Sequence, residues 1–300
     1  GICMAFWGAT DGRQGQMAII ETPDDASIRM QRLENRLVIG PEWDPQKGQC
    51  GYARRLRYVF FDQGGHVAMA KRYRQYAREI GRFKTLADKR RENPNVDLLV
   101  GAVNVWNWDA NPVELVREMQ TNGISRILWS RGGASETLRA LNEMQVLTSR
   151  YDIYQDVMDP ASFPNLAWVH SDWTTGAWPN DIIRLANGDW LRGWGVEGKK
   201  GDWYHCGVIC DSRALEFARQ RIPADLAKNP YRCRFIDTTT AAPWNECYDN
   251  RHPMTRGQSR EWKMKLLDYV SRDMKQVTGC ETGHDASVPF LHYFEGMLSL

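Results

Sequence analysis

Asp237 and Glu281 are the residues of this chain whose type and setting best support bond cleavage. Asp237 closes the β-prone run Arg232-Cys233-Arg234-Phe235-Ile236-Asp237, and Glu281 closes a second run that begins near Val277. A charge left at the end of a buried strand is costly unless it faces a polar site. Apolar walls around Glu281 would raise its pKa toward that of a general acid. Two carboxyls about 5 Å apart serve glycoside cleavage with retention, one attacking the anomeric carbon and the other protonating the departing oxygen; a wider gap serves inversion. The same residues have plainer readings: Asp237 ahead of three threonines also fits a turn cap, and His284 and Asp285 compete with Glu281 for its role.

Other strand ends offer candidate substrate contacts: Trp106, Trp108 and Asp109 in Trp106-Asn107-Trp108-Asp109, Arg131 after Ser130, and Asp156 after Gln155. Trp244, His284 and Asp285 complete that set. Arg256 is a possible partner for a site carboxylate, although His252 to Arg256 reads first as loop architecture. No serine or cysteine nucleophile array, HxxxH pair or glycine-rich phosphate loop is present. His284 with Asp285 lacks an adjacent third ligand; recruiting Asp156 would give a metal-dependent hydrolase, the less favoured reading. Seven cysteines without a paired CxxC framework read as buried free thiols, so no metal and no cofactor are expected.

These residues need a scaffold that gathers strand ends. Residues 1–65 hold short β-prone runs (Met17 to Glu21, Arg36 to Ile39, Leu56 to Phe61) between turn signals, and predict part of an antiparallel β-sandwich. Residues 66–97 predict a linking helix, with Val67, Ala70, Tyr73, Ala77 and Ile80 on one face, followed by a charged connector. From 98 to 300 apolar strands alternate with amphipathic helices, which predicts a parallel sheet and an incomplete (β/α) TIM-type barrel of about five strands. Its first strand is predicted over Val96 to Val105, and Asn111-Pro112 marks a helix start. An insertion at about 160–210 interrupts the series with a hairpin turning at Asn187-Gly188. A chain that opens on Gly1 rather than a methionine, and that is short of barrel strands, is expected to be a segment of a longer protein.

Composition narrows the partners. With 39 basic and 37 acidic residues the net charge is +2, which gives no polyanion surface, so no nucleic-acid partner is expected. No run reaches the roughly 18 apolar residues of a membrane span. Thirteen tryptophans, six of them between Trp168 and Trp203, supply flat faces for packing or for stacking on sugars. A carbohydrate or glycoprotein glycan is the expected partner, with a non-catalytic carbohydrate-binding protein as the alternative. Secreted, periplasmic and cytoplasmic placements are all compatible with the sequence.

The β-rich opening with Phe6-Trp7-Gly8, the helix Ala70-Lys71-Arg72-Tyr73-Arg74 with Leu86 and Lys89, the Val105-Trp106-Asn107-Trp108 strand end, and Phe235-Ile236-Asp237 followed by Gly279-Cys280-Glu281 resemble glycoside hydrolase family 129. They are similar, more distantly, to family 101. The resemblance implies a retaining α-glycosidase acting on N-acetylgalactosamine α-linked to serine or threonine. It also implies that Asp237 is the nucleophile and Glu281 the acid/base.

Overall fold

The computed structural model describes residues 2–108 and 111–296. Five antiparallel strands come first: β1 (Phe6–Thr10), β2 (Gly15–Ile20), β3 (Ala26–Leu33), β4 (Arg36–Trp43) and β5 (Leu56–Phe61). β1, β2 and β5 form one sheet, and β3 with β4 forms a separate ribbon. Met17 and Ile19 of β2 pack against Met69, Tyr73 and Tyr76 of helix α1 (Gly65–Glu79), so α1 closes the apolar face of the first sheet. Helix α2 (Leu86–Glu92) starts at a reciprocal cap between Thr85 and Asp88.

The predicted strand from Val96 to Val105 is split. Its first part is a short helix, α3 (Val96–Leu99), Gly101 takes φ +74, and only β6 (Val103–Val105) is extended. Asn93 accepts the Asn95 N–H at 3.0 Å and turns the chain into that helix. Val96 then packs with Leu128, Leu147, Cys233 and Val277. The apolar run therefore marks burial rather than one continuous strand.

The chain continues through α4 (Pro112–Thr121), β7 (Ile127–Trp129), α5 (Ser135–Glu143), β8 (Leu147–Ile153), β9 (Asp156–Val157), β10 (Arg192–Glu197) and β11 (Trp203–Val208). It ends with α6 (Asp211–Leu226), β12 (Cys233–Asp237), α7 (Arg256–Asp268), β13 (Val277–Glu281) and β14 (Tyr293–Glu295). Asn111 caps α4 by accepting the Val113 N–H, with Pro112 at the first helical position. Six strands form one sheet in the order β14-β13-β12-β8-β7-β6, every pair parallel. The sequence predicts about five; β14 is the addition, too short to show a pattern of its own.

The sheet curls. Asn104 on β6 and Trp106 just beyond it donate to Glu295 Oε1 on β14, at 2.5 and 3.3 Å, so the two edge strands face each other across the concave side. On the convex side Ile236 and Cys280 pack against Leu215, Ala218 and Ile222 of α6 and Leu266 and Leu267 of α7. The protein is thus a mixed α/β fold with a half-barrel of parallel strands and separate antiparallel sheets.

The insertion is antiparallel, in the order β10-β11-β9. Around Asn187-Gly188 only one bridge forms, Arg184 with Trp190, and the regular ladder runs instead between β10 and β11. No helix among the described residues is long and apolar enough to cross a membrane.

Candidate active site

Parallel register assembles the acidic pair. Ile236 of β12 lies beside Cys280 of β13, so Asp237 and Glu281 stand next to each other one residue further on, at the ends where a barrel carries its chemistry. The two carboxyls are close enough for each to shift the titration of the other. Asp237 Oδ2 also accepts from the Tyr151 hydroxyl, which projects from the neighbouring strand β8. Glu281 Oε2 is buried and makes no hydrogen bond among the described residues.

Burial is the first cause that raises both carboxyls. For Glu281 the negative charge of Asp237, the shared hydrogen bond and the charge of Glu295 add to it, pushing its pKa up to about 7. For Asp237 the hydrogen bonds from Tyr151 and Glu281 oppose the rise. The two carboxyls therefore titrate as a pair that holds a proton more tightly than either group would in water. Burial and the charge of Asp237 push the Tyr151 phenol far up, so it stays a donor.

Aromatic rings cluster around Tyr151, the donor to Asp237. Trp106 meets Phe235 and Tyr151 edge-on, at centroid distances of 6.0 and 6.5 Å, and Tyr151 lies 5.4 Å from the His170 ring. Trp108 stacks on Trp106 at 5.9 Å and is exposed. Asp156 is buried at the start of the insertion, its Oδ2 taking the Trp194 N–H at 3.1 Å. Burial first, and then the nearby charge of Asp237, raise Asp156 to about 6. Asp109 lies outside the described residues.

The other sequence candidates have different settings. Asp285 accepts from Tyr73 (2.8 Å) and Arg82 (3.0 Å), which commits its carboxylate to the joint with α1. The His284 ring packs edge-on against Trp244 at 5.5 Å, in a small pocket that Ile2, Cys3 and Pro243 also line. Burial pushes His284 down to about 4, so the ring is neutral. Arg131 is exposed beyond β7. Arg256 pairs with Asp25 and Glu246 rather than with the acidic pair. Asp156, His284 and Asp285 form no metal-holding group among the described residues.

Tyr151, His170 and Glu295 reach the site without having been marked by sequence. Tyr151 sits two positions before Ile153, which pairs with Asp237, so its inward direction follows only from register. Glu295 pairs with Glu281 on a strand of three residues.

Neighbouring carboxyls at adjacent ends of a curled parallel sheet, with aromatic rings beside them, fit the residue types that glycoside hydrolysis requires. Residues 118–300 match the family described as glycosyl hydrolases related to GH101 family, GH129, and the chain belongs to that family. No curated protein matches the sequence.

Among solved structures the fold is similar to the α-N-acetylgalactosaminidase NagBb from Bifidobacterium bifidum, with TM-score 0.77 and 22% identity over 96% of this chain and 54% of that one. It is also similar to a cycloalternan-degrading enzyme from Trueperella pyogenes (TM-score 0.61, 9% identity, 95% of this chain and 44% of that one). The GH36 α-galactosidase AgaB from Geobacillus stearothermophilus gives TM-score 0.57 and 13% identity over 97% and 44%. The chain spans about half the length of the solved structures it matches.

Proposed function

We propose that the protein is a retaining α-glycosidase of the α-N-acetylgalactosaminidase type, with Asp237 as nucleophile and Glu281 as acid/base. The adjacency of the two carboxyls, set by the parallel register of their strands, carries the reading. Inversion needs a water between acid and base, and so a separation of about 6.5–9.5 Å; carboxyls this close suit a nucleophile beside its proton donor. The Asp237 carboxylate attacks C1 as the C1–O bond breaks, and the Glu281 proton passes to the departing oxygen. Glu281 then takes a proton from water, the water oxygen attacks C1, and Asp237 is released. In this reading Trp106 and Trp108 stack on the pyranose, and Asp156 and His170, both close enough to Asp237 to interact with its charge, are the hydroxyl partners.

Family membership and the likeness to NagBb, also solved as a GalNAc complex, support an α-linked N-acetylgalactosamine as the substrate. They equally support taking the half-barrel as part of a closed TIM-type barrel over 98–300, linked through 66–97 to a β-sandwich portion at 1–65.

The test is turnover of a panel of aryl α-glycosides with proton NMR of the first-formed product. The α-N-acetylgalactosaminide should be cleaved with the α-anomer released first. Asp237→Asn should lose on the order of 10⁴-fold in kcat, and Glu281→Gln about 10²- to 10⁴-fold. A first-formed β-anomer would rule out retention. Tight glycoside binding with no turnover in any variant would favour the carbohydrate-binding alternative.

A further inference from the structure

The connection between β12 and α7 holds a second cluster of chemistry-bearing side chains. It folds back on itself through a bridge between Cys247 and Met254, closed by backbone bonds of 2.9 and 3.1 Å. The fold-back carries Cys247, His252 and Met254 against Cys210, the residue that precedes α6. All four are buried, with Ile183, Val208, Leu191 and Trp262 packed around the sulfurs. Cys247 Sγ lies 3.3 Å from His252 Nδ1, and Cys210 Sγ lies 3.9 Å from Met254 Sδ. The two thiol sulfurs and Nδ1 all fall within 4.8 Å of one another.

Two sulfur or nitrogen ligands of one tetrahedral zinc stand about 3.5–3.8 Å apart, given Zn–S near 2.3 Å and Zn–N near 2.0–2.1 Å. To reach that spacing the Cys247–His252 pair, at 3.3 Å, opens slightly, and the other pairs, all within 4.8 Å, close by about 1 Å at most. Its outer contacts already have the right sense. His252 Nε2 is 2.9 Å from the Asn180 carbonyl, which requires the proton on Nε2 and leaves the Nδ1 lone pair facing Cys247. Ligating histidines are oriented in this way by a carbonyl behind the ring. The Arg184 backbone N–H donates to Cys247 Sγ at 3.4 Å, a bond that favours a thiolate. Two cysteines, an oriented imidazole and a thioether in an apolar pocket are soft donors, suited to thiophilic d¹⁰ cations and poorly suited to Ca²⁺ or Mg²⁺.

We propose that Cys210, Cys247 and His252, with Met254 closing the remaining face, form a structural site for a thiophilic d¹⁰ cation, Zn²⁺ or Cu⁺. The bound ion ties the start of α6 to the loop that follows Asp237 and takes no part in glycoside cleavage. This replaces the reading of all seven cysteines as buried free thiols: Cys3 and Cys50 are exposed, and two of the five buried ones belong to the cluster.

Metal analysis of protein purified under reducing conditions, followed by titration of the stripped protein with Zn²⁺, Co²⁺ and Cu⁺ separately, tests the site. One equivalent is expected. A zinc site accepts Co²⁺ with thiolate-to-cobalt charge-transfer and tetrahedral d–d bands; a copper site binds Cu⁺ in competition with a chelator and gives no cobalt bands. Cys247→Ser should weaken binding by more than about 100-fold, while the exposed-site control Cys50→Ser should leave it unchanged. The cobalt spectrum of the unmutated protein keeps the test valid if a variant fails to fold. Absence of stoichiometric binding by any of the three ions, or a Cys210–Cys247 disulfide in the freshly purified protein, would overturn the site whatever the glycosidase assays show.

Discussion

A single hydroxyl and a single proton set the electrostatics of the acidic pair. Tyr151 gives Asp237 a donor that stays protonated throughout the working range, because burial and the Asp237 charge both oppose its ionisation. A hydrogen bond to a charged group contributes about 1.5–3 kcal/mol, so Tyr151→Phe should lower kcat by roughly 10- to 150-fold with a smaller change in KM. Glu281 must carry its proton to act as the acid. Its pKa of about 7 therefore sets the alkaline limb, and kcat/KM should fall as pH rises through 7. The same shift has a sign for stability. The folded chain holds this proton more tightly than the unfolded one, whose ordinary value is 4.5. The stabilisation is complete below pH 4.5 and is lost as the pH rises through 7. Calorimetry should find Glu281→Gln more stable than the parent at about pH 8 and close to it at about pH 4; equal melting at the alkaline pH would contradict a raised Glu281.

At the scale of elements, room on the concave side of the sheet decides whether β14 can dock. An added Cβ on Gly279 of β13 would stand 2.0 Å from the Tyr293 ring, and Tyr293 anchors β14 with its hydroxyl 3.7 Å from Cys233 Sγ. Gly279→Ala must displace that ring and, with it, Glu295. Overpacking of this kind costs about 1–3 kcal/mol, or a Tm loss of several degrees, whereas Gly40→Ala on open β4 should cost far less. An unchanged Tm for Gly279→Ala would show that β14 is not held by this contact. The pair also shows where sequence reasoning stops. Strands β12 and β13 are legible because their apolar runs end at a carboxylate, and α4 because Asn111-Pro112 writes its own start. β14 is not, since three residues carry no period. The Val96 to Val105 run misleads because an apolar run reports burial without saying whether the buried backbone is extended or helical. Asp237 and Glu281 can be chosen from their places at strand ends, but Tyr151 and Glu295 depend on cross-strand register, which one sequence does not contain. Likewise Cys210 lies far from Cys247 along the chain, and Cys247 with His252 alone has no recognised ligand spacing.

Across the whole molecule, the antiparallel opening is joined to the half-barrel by a polar seam. Asp25 has a fully buried side chain that accepts from Tyr52 at 2.6 Å and from Arg256 at 2.8 Å, while Asp24 pairs with Arg260 at 2.7 Å. Both arginines belong to α7, which packs behind β12 and β13. On the other flank Asp285, four residues beyond Glu281, binds Tyr73 and Arg82, and Lys89 reaches the Leu291 carbonyl. The seam thus grips the elements on both sides of the acidic pair. Asp25→Ala takes an acceptor from Tyr52 and one of two carboxylates from Arg256, which keeps Glu246, a loss of about 1–3 kcal/mol. Asp25→Ala should therefore lower Tm by several degrees, and adding Arg256→Met should add little to the loss. The form of the transition carries more information than its midpoint. If the seam makes the opening strands and the half-barrel cooperative, the parent protein melts in one calorimetric transition, and Asp25→Ala releases an earlier one belonging to β1–β5 and α1. Hydrogen exchange would then show faster amide exchange in those elements while β12 and β13 stay protected. A single transition at the parental temperature in Asp25→Ala would mean that the apolar contacts alone couple the two parts.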